Sequence, residues 1–453
     1  MSRLFGTDGV RGVANTELSP ELVFRIGRAG ASVLASSSDR HRPIVVGRDT
    51  RLSGTMLEAA IIAGITSVGR DAVALGVVPT PAVACVARAE RAAAGVMISA
   101  SHNPIADNGV KFFGSDGFKL SDEIEDAIEA RIGAENLPRP TGTEIGVATL
   151  SKNLARHYYR ELGDGASRLD GLHVVVDCAY GAAYAVAPYV LRKLGAAVTE
   201  LHCADDGARI NVGCGATDLS ALQAAVRARA QAGDANVVGV AFDGDADRAL
   251  FVDETGAVVS GDHVMFAIGC DMRERGELRG NAIVGTVMSN IGFERALRAH
   301  GIGLVRTRVG DRYVLEEMRS GGYVLGGEQS GHVIDFRKNT TGDGPMTAVT
   351  LLGVIARCGR RLHDLVAEVV VAPQILLNVR APGAAALESA EVRREIALGE
   401  AQLGSSGRLL IRPSGTEPLI RVMAEGDDRE LVEQVAARIA ARIEEEIGRL
   451  TQT

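Results

Sequence analysis

The chain has 453 residues, of which 46% are hydrophobic and 23% charged, and its formal net charge is −8. This composition is typical of a globular protein with several domains. The acidic balance and the absence of Trp exclude a general nucleic-acid binder, which needs clustered Lys and Arg or aromatic stacking platforms. The sequence has no apolar leader and no apolar run long enough to span a bilayer. We therefore expect a cytoplasmic protein without nucleic-acid or membrane partners.

The cysteines are scattered and form no C-x-x-C pair; they are Cys85, Cys178, Cys203, Cys214, Cys270 and Cys358. This spacing suggests neither a zinc site nor a redox motif. We interpret them as small buried side chains in a reducing compartment.

The first 154 residues alternate predicted helices and strands, which indicates a mostly parallel sheet covered on both faces. A glycine-rich loop at 5–12 comes first, and glycines there allow the backbone to approach a ligand closely. Helices are predicted from Ser19-Pro20, from Ser53, after Pro81 and over 121–132, and strands over 44–46, 72–77, 96–98 and 110–113. A turn is predicted at 107–109 and a linker at 137–142, with the domain end nearer 154.

Ser101 follows the buried strand at 96–98, in the run Ser99-Ala-Ser-His-Asn-Pro104. Open α/β sheets bind ligands at this end of their strands. A serine there is a nucleophile, a phosphate carrier or a turn residue. The sequence lacks a G-x-S-x-G elbow, so hydrolysis by acyl transfer has no support. His102 is not assumed to be its base, because neighbours on an extended chain point apart.

Three acids, Asp243, Asp245 and Asp247, stand at alternate positions after a predicted strand at 237–242. Carboxylates so close together repel one another and require a cation, and oxygen ligands without His or Cys favour Mg²⁺. A calcium EF-hand loop has similar acid spacing. It needs glycine where this chain has Arg248, and helices where strands are predicted.

Two further loops carry polar groups beside glycine. Glu328, Ser330 and His332 follow a predicted strand near 323–325 and offer contacts to sugar hydroxyls. The loop at 412–418 supplies a guanidinium, hydroxyls and backbone N–H groups, which suit a phosphate. Lys111 is either a surface lysine or a functional ammonium in an apolar strand.

We expect four domains: 1–154, 155–253 and 254–370, each α/β with a mixed sheet, and a smaller α+β domain at 371–453. A serine that carries phosphate, a divalent cation and a separate phosphate loop together indicate phosphoryl transfer between two positions of one substrate.

Five motifs carry a resemblance that runs nearly end to end. They are Phe5-Gly-Thr-Asp-Gly-Val-Arg-Gly12, Ser99-Ala-Ser-His-Asn-Pro104, Asp243-Gly-Asp-Ala-Asp-Arg248, Gly327-Glu-Gln-Ser-Gly-His332 and Arg412-Pro-Ser-Gly-Thr-Glu-Pro418. In this order they resemble the α-D-phosphohexomutase superfamily. The first motif and Gln329 are similar to the bacterial branch that acts on glucosamine phosphates.

The resemblance implies four domains around a central cleft. It implies conversion of glucosamine 6-phosphate into glucosamine 1-phosphate, through a phosphoserine at Ser101 and a hexose 1,6-bisphosphate, as a step towards UDP-N-acetylglucosamine and peptidoglycan. One Mg²⁺ is expected on Asp243, Asp245, Asp247 and the Ser101 phosphate.

The resemblance also implies roles for the other motif residues. Glu328 and Ser330 match residues that bind the sugar hydroxyls. The residues that match a clamp for the distal phosphate are Arg412, Ser414, Gly415, Thr416 and Arg421. The residues that match the catalytic centre are Arg11, His102, Lys111, Arg248 and His332, with Lys111 and His332 as the two candidates for the general acid/base.

Two other functions stay open. Glucose or mannose phosphate is an alternative substrate of the same chemistry, because no residue plainly pairs with a 2-amino group. A non-catalytic sugar-phosphate-binding protein is a second, although it is expected to lack Ser101 or one of the three acids. Whether the chain forms a homodimer, and whether a kinase first phosphorylates Ser101, also stay open.

Overall fold

The computed structural model describes residues 3–6, 8–34, 42–414 and 418–452. These residues fall into two compact units, Met1–Thr286 with Thr307–Ala367, and Val287–Arg306 with Glu368–Thr453. Both units are discontinuous along the chain, because a short segment in the middle of the sequence joins the C-terminal part.

The first sheet of the larger unit has six strands in the order β1-β5-β4-β2-β3-β6. The strands are Val10–Val13 (β1), Ile44–Arg48 (β2), Ala72–Val77 (β3), Ala94–Ile98 (β4), Asp107–Gly114 (β5) and Ala148–Leu150 (β6). The helices between them are Pro20–Leu34 (α1), Gly54–Ser67 (α2), Thr80–Ala89 (α3) and Asp122–Ile132 (α4). Strands β4, β2, β3 and β6 run parallel, while β1 and β5 are antiparallel to their neighbours.

Two local predictions in this region are wrong. The predicted turn at 107–109 lies inside β5, where Gly109 pairs with Arg11 and Asp107 with Val13. The glycine-rich N-terminal loop likewise contains strand β1. The backbones of β1 and β5 pair with each other as antiparallel strands. Such long-range pairing overrides local turn propensity.

The second sheet has five strands in the order β11-β10-β9-β7-β8. The strands are His173–Asp177 (β7), Ala197–Leu201 (β8), Val237–Phe242 (β9), Ala249–Val252 (β10) and Val258–Val259 (β11). The helices are Arg156–Gly163 (α5), Val186–Leu194 (α6) and Ser220–Gln231 (α7). Strands β9 and β10 form an antiparallel hairpin, so the loop at 243–248 has strands on both sides, as predicted.

The rest of the larger unit contains Gly261–Glu274 (α8), Ala282–Thr286 (β12), Asp311–Gly321 (α10), Leu325–Gly327 (β14), Val333–Asp335 (β15), Gly344–Cys358 (α11) and Leu362–Val366 (α12). Strand β14 pairs in parallel with β12 and antiparallel with β15.

The smaller unit is built on an antiparallel sheet in the order β16-β18-β17. It contains Ile291–Ala299 (α9), most of Gly303–Thr307 (β13), Gln374–Arg380 (β16), Ala390–Leu403 (α13), Gly407–Pro413 (β17), Leu419–Gly426 (β18) and Arg429–Gln452 (α14). Its core packs α14 against this sheet, with Val422, Val435 and Ile439 fully buried. The expected fold class, α/β sheets followed by a smaller C-terminal α+β module, is confirmed. The domain boundaries and the central cleft stay predictions.

Candidate active site

Ser101 lies in a loop that follows β4 and is 1% exposed. Its φ of +52° is in the left-handed region, which is uncommon for a residue with a side chain. Its backbone N–H donates to the hydroxyl of Ser99, at 2.9 Å. Strained residues that persist in this way are typical of functional loops.

The buried side chain of Arg51, which is 1% exposed, contacts the backbone of this loop. Its guanidinium donates to the carbonyl oxygens of Ser101 and Asn103, each at 2.8 Å, and to those of Pro104 and Asp107, at 2.6 and 3.0 Å. Its Nε donates to Asp49, at 3.1 Å. One buried side chain thus fixes the backbone at Ser101 and in the residues that follow it.

The Ser101 hydroxyl donates to Asp243 Oδ2 and also contacts His102 Nδ1, at 3.3 Å. The second contact corrects the expectation that adjacent side chains point apart. That expectation applies to extended backbone, and Ser101 is not extended. Burial and the neighbouring Arg248 and Arg11 lower the pKa of His102 to about 4, so its ring is neutral at pH 7.

The three acids lie in the loop between β9 and β10 and are at most 4% exposed. One carboxylate oxygen from each lies within 4.8 Å of the others. Burial and repulsion from Asp247 and Asp245 raise the pKa of Asp243 well above its usual value. The positive φ of Ala246, +57°, turns the loop between Asp245 and Asp247.

This site fits a divalent cation. The Oδ1 atoms of Asp245 and Asp247 are buried and have no hydrogen-bond donor among the described residues. All three ligand groups are carboxylates, which hard cations such as Mg²⁺ prefer. The expected Mg²⁺ ligands therefore lie together, and Ser101 contacts one of them.

Lys111 lies on β5 and is 2% exposed, so it is not a surface lysine. Its ammonium lies 2.9 Å from Asp8 Oδ2 and from Asp245 Oδ2, and 3.6 Å from Asp247 Oδ2. Although burial alone lowers the pKa of Lys111, these carboxylates raise it above its usual value. The lysine is held as a cation.

His332 is 3% exposed, with its two ring nitrogens each 3.6 Å from a carboxylate, Asp247 on one side and Asp311 on the other. Burial lowers its pKa, but the two carboxylates outweigh burial and the net pKa is raised. Asp311 also pairs with Lys119, which pairs with Asp8 at 2.5 Å. The sequence motifs did not predict a role for Asp311 or Lys119. Of these three residues, Asp8 alone lies in a motif, and it is the partner of Lys119.

Two guanidinium groups complete this part of the site. Arg11 donates to Asn103 Oδ1, at 3.1 Å, and pairs with Asp8, while Arg248 Nε lies 3.9 Å from Asp247. The Nε atoms of both arginines are buried and have no acceptor within the described ranges. Such groups suit a phosphate oxygen.

The sugar-hydroxyl candidates lie on the loop between β14 and β15. Glu328 Oε1 accepts the backbone N–H of Gly310, at 3.0 Å. The hydroxyl of Ser330 is buried without a hydrogen-bond partner in the described part of the chain. Ser330 is therefore available for a ligand, and one Glu328 oxygen is already used.

The phosphate-clamp candidates lie in the smaller unit. Arg412 on β17 lies directly opposite Arg421 on the neighbouring strand β18. Burial and Arg421 lower the pKa of Arg412. Two positive charges opposite each other on neighbouring strands destabilise the sheet. An anion such as phosphate, bound between them, would remove this repulsion. Ser414 is described at the end of β17, whereas Gly415 and Thr416 lie outside the described residues.

Family models for the four parts of phosphoglucomutase/phosphomannomutase match this chain in order. They are alpha/beta/alpha domain I at residues 2–139, domain II at 156–256, domain III at 260–372 and the C-terminal domain at 376–442. The chain belongs to the phosphoglucomutase/phosphomannomutase family. This phosphohexomutase is therefore an enzyme of the isomerase class, and the resemblance seen in the motifs is confirmed.

Several curated relatives of this phosphohexomutase match over nearly the whole length. A protein of Thermoanaerobacter sp. named phosphoglucosamine mutase is 50% identical and covers 99% of this chain and 100% of its own length. Proteins of the same name from Moorella thermoacetica and Saccharopolyspora erythraea are 53% and 51% identical, covering 96% and 97% of this chain and 98% of their own lengths.

Solved structures show the same fold. A phosphoglucomutase/phosphomannomutase family protein from Burkholderia thailandensis superposes with a TM-score of 0.83 at 23% identity, covering 98% of each chain. The N-acetylphosphoglucosamine mutase of Aspergillus fumigatus superposes with a TM-score of 0.68 at 16% identity, covering 98% of this chain and 96% of its own. Within the described residues of this phosphohexomutase, no helix has the length and apolarity needed to span a membrane.

Proposed function

We propose that this phosphohexomutase interconverts glucosamine 6-phosphate and glucosamine 1-phosphate. The relatives that match it over nearly its full length carry the name phosphoglucosamine mutase, which supports this substrate. The observation that carries the chemistry is the contact of the Ser101 hydroxyl with Asp243 in a buried site rich in fixed charge. A hydroxyl placed against a cation site is suited to carry the phosphoryl group that is transferred.

Asp243, Asp245 and Asp247 would hold Mg²⁺, with the phosphate of Ser101 as a further ligand. When bound, the cation neutralises negative charge on the phosphoryl group. The orphaned carboxylate oxygens of Asp245 and Asp247 support this assignment.

In the forward reaction the bond between Ser101 Oγ and phosphorus breaks, and a bond forms between phosphorus and the O1 oxygen of glucosamine 6-phosphate. The O1 proton passes through a general base to the released Ser101 Oγ, and the product is the 1,6-bisphosphate. After the bisphosphate reorients, the Ser101 hydroxyl gives up its proton and takes back the 6-phosphoryl group, and the proton passes to O6. Substrate and product are isomers, and the enzyme is again phosphorylated.

We assign Lys111 as a fixed positive charge and His332 as the proton carrier. The ammonium of Lys111 has two carboxylates at 2.9 Å, which favour its charged form. His332 Nε2 is buried, lies 3.6 Å from Asp311 and makes no hydrogen bond to any described residue, so it can exchange a proton with a substrate hydroxyl. Arg11 and Arg248 stabilise the transferring phosphoryl group through their Nε atoms. His102 contributes through its Nδ1 atom, which lies 3.3 Å from the Ser101 hydroxyl.

Glu328 and Ser330 would orient the sugar ring through its hydroxyls. The phosphate that does not react would bind to Arg412, Ser414, Gly415, Thr416 and Arg421. We place the enzyme in the cytoplasm, on the route to UDP-N-acetylglucosamine.

The test compares kcat/KM for glucosamine, glucose and mannose 6-phosphates, each with Mg²⁺ and a hexose 1,6-bisphosphate primer. We expect a clear preference for the amino sugar. Ser101→Ala should abolish activity, while Ser320→Ala, an exposed serine at the end of α10, should retain it.

Either of two results would replace the proposal. A preference for glucose or mannose phosphate would keep the chemistry and assign a different substrate. Absence of turnover with all three sugars, while mass spectrometry shows phosphate on Ser101, would favour the non-catalytic binding protein.

A further inference from the structure

A second group of ligand-type side chains lies at the carboxyl ends of β7 and β8. Asp177 ends β7, His202 follows β8, and Cys214 lies in the loop after it. Strands β7 and β8 run parallel, with Asp177 paired to Leu201, so Asp177 and His202 meet at one edge of the sheet. Neither the catalytic motifs nor the proposed reaction uses these residues.

The ligand atoms of the three side chains lie within 4.8 Å of one another. Asp177 and Cys214 are fully buried, while the side chain of His202 is 24% exposed. Asp177 Oδ2 lies 2.9 Å from His202 Nδ1, and Asp177 Oδ1 accepts the backbone N–H of Ala179, also at 2.9 Å. That second bond orients the carboxylate, as outer hydrogen bonds do in metal sites.

We propose that Asp177, His202 and Cys214 form a binding site for Zn²⁺ or a cation of the same class, separate from the Mg²⁺ site. Carboxylate oxygen, imidazole nitrogen and thiolate sulfur form a donor set that Zn²⁺ accepts and Mg²⁺ does not. Cation binding displaces the proton of the Cys214 thiol, and the resulting thiolate together with the carboxylate balances a charge of +2. Three protein ligands leave a fourth tetrahedral position for water, and the partial exposure of His202 gives solvent access to it.

The backbone holds these ligands in place by unusual conformations. His202 and Asn211 have positive φ values of +51° and +60°, and Ala179 and Tyr180 each have +52°. The backbone N–H of Asn211 donates to Ala179, at 3.0 Å, and closes the loop that brings Cys214 to Asp177. Such conformations cost energy and are retained where surrounding contacts fix them.

The same loop reaches the active site. The side-chain amide of Asn211 donates to the carbonyl oxygen of Ser101, at 2.9 Å. Thr50, next to Arg51, donates to the carbonyl oxygen of Tyr180, at 2.6 Å. A cation on Asp177, His202 and Cys214 would therefore brace a loop that contacts the Ser101 backbone. This proposal does not depend on which sugar phosphate the enzyme uses.

The test uses the full-length protein, stripped of metal by a chelator and titrated with Co²⁺ as a spectroscopic substitute for Zn²⁺. We expect one equivalent of Co²⁺ to give a thiolate-to-metal charge-transfer absorption, because sulfur is a ligand. Cys214→Ser should abolish this absorption. His202→Gln should weaken Co²⁺ binding by at least about 10-fold, the lower end of the loss seen when only an outer partner of a metal ligand is removed.

Two controls separate this site from others. Cys358→Ser removes an exposed thiol elsewhere and should leave the absorption unchanged. Asp243→Asn removes a ligand of the acidic site, whose oxygen donors give no thiolate band, and should also leave it unchanged.

Three results would overturn the proposal: absence of the charge-transfer band in the wild type, a band of full strength in Cys214→Ser, or Co²⁺ affinity unchanged in His202→Gln. Because Cys214 is fully buried, Cys214→Ser requires circular dichroism to establish folding. The His202→Gln variant, at a partly exposed position, decides the question if Cys214→Ser does not fold.

Discussion

At the residue scale, the acidic site holds three buried carboxylates that repel one another, and part of that repulsion is offset by Lys111 and His332. A cation that binds the folded protein only should relieve the remainder. At a free Mg²⁺ concentration of 100 times Kd, binding stabilises the folded state by about 2.7 kcal/mol.

We therefore predict that Mg²⁺ raises the Tm of the wild type, measured by differential scanning calorimetry, and that Asp245→Asn abolishes the rise. Asp205→Asn, which changes an exposed acid outside the site, should respond as the wild type does. An equal Mg²⁺ response in Asp245→Asn would contradict the assignment of the metal ligands.

The motifs located Ser101, the three acids and His332 because each lies in a short local pattern, and Lys111 was noticed as a charge in an otherwise apolar strand. They did not predict the functional importance of Asp49, Arg51 or Asp311. These residues act through partners 50 or more positions away, as when Ser99 donates to Asp49, at 2.6 Å, or Lys119 pairs with Asp311. A single sequence carries no record of such pairings.

At the scale of elements, the loop after β4 depends on β2 because Arg51 follows that strand. We predict that Arg51→Met lowers the free energy of unfolding by about 3–5 kcal/mol, since it leaves Asp49 buried without its cation. It should also lower kcat, because Ser101 loses its backbone support. Arg168→Met, in an exposed ion pair with Asp170, should leave both quantities nearly unchanged. Chemical denaturation and steady-state kinetics measure the two effects.

Helix α11 begins at Gly344 and is capped by Asp343, whose buried carboxylate accepts from Tyr158, Asn339 and the backbone of Met346. Burial raises the pKa of Asp343 to about 6. Its value in the unfolded chain is about 3.9, so between these values the folded state binds more protons than the unfolded state. This carboxyl should therefore make stability fall as pH rises from about 4 to about 6 and contribute no further change above that.

The measurement is the free energy of unfolding by urea across this pH range in the wild type and in Asp343→Asn. The variant should lose the Asp343 part of the slope, about 3 kcal/mol at most. Parallel curves for the two proteins would contradict this explanation.

Most long elements could be predicted from apolar periodicity and from Gly, Pro and Ser signals. Strand β3 matches its predicted bounds, and α4 begins one residue after its predicted start. The strands that were missed lie at sheet edges. Strand β6 is fully exposed, and no residue of β8 is fully buried, so neither shows the continuous apolar run of a central strand. Their pairing to β3 and β7 is a tertiary property.

At the scale of the whole molecule, the smaller unit includes a segment from the middle of the chain, Val287–Arg306. The side chain of Asn290 joins this segment to residue 372, accepting from the backbone N–H of Ala372 at 2.9 Å and donating to its carbonyl at 3.0 Å. The division of the sequence into contiguous domains, with a boundary at 370, stays a prediction. It was made from local patterns, and these carry no information about a pairing between residues 82 positions apart.

We predict that Asn290→Ala destabilises the smaller unit by about 1–3 kcal/mol, the cost of leaving buried backbone groups unpaired. Hydrogen exchange followed by mass spectrometry should become faster in residues 287–306 and 368–452 and stay unchanged in the larger unit. Asn378→Ala, at an exposed position on β16, is the matched control. Uniformly faster exchange over the whole chain would show that the two units unfold together.

The central claim is that Ser101 carries the phosphoryl group that moves. The most direct measurement mixes enzyme phosphorylated at Ser101 with an excess of glucosamine 6-phosphate and Mg²⁺ and quenches the reaction within one turnover. Peptide mass spectrometry then measures phosphate on Ser101, and ³¹P NMR measures the 1,6-bisphosphate. We predict that Ser101 loses phosphate at the rate at which bisphosphate appears, one for one. Retention of the Ser101 phosphate while glucosamine 1-phosphate accumulates would contradict the account.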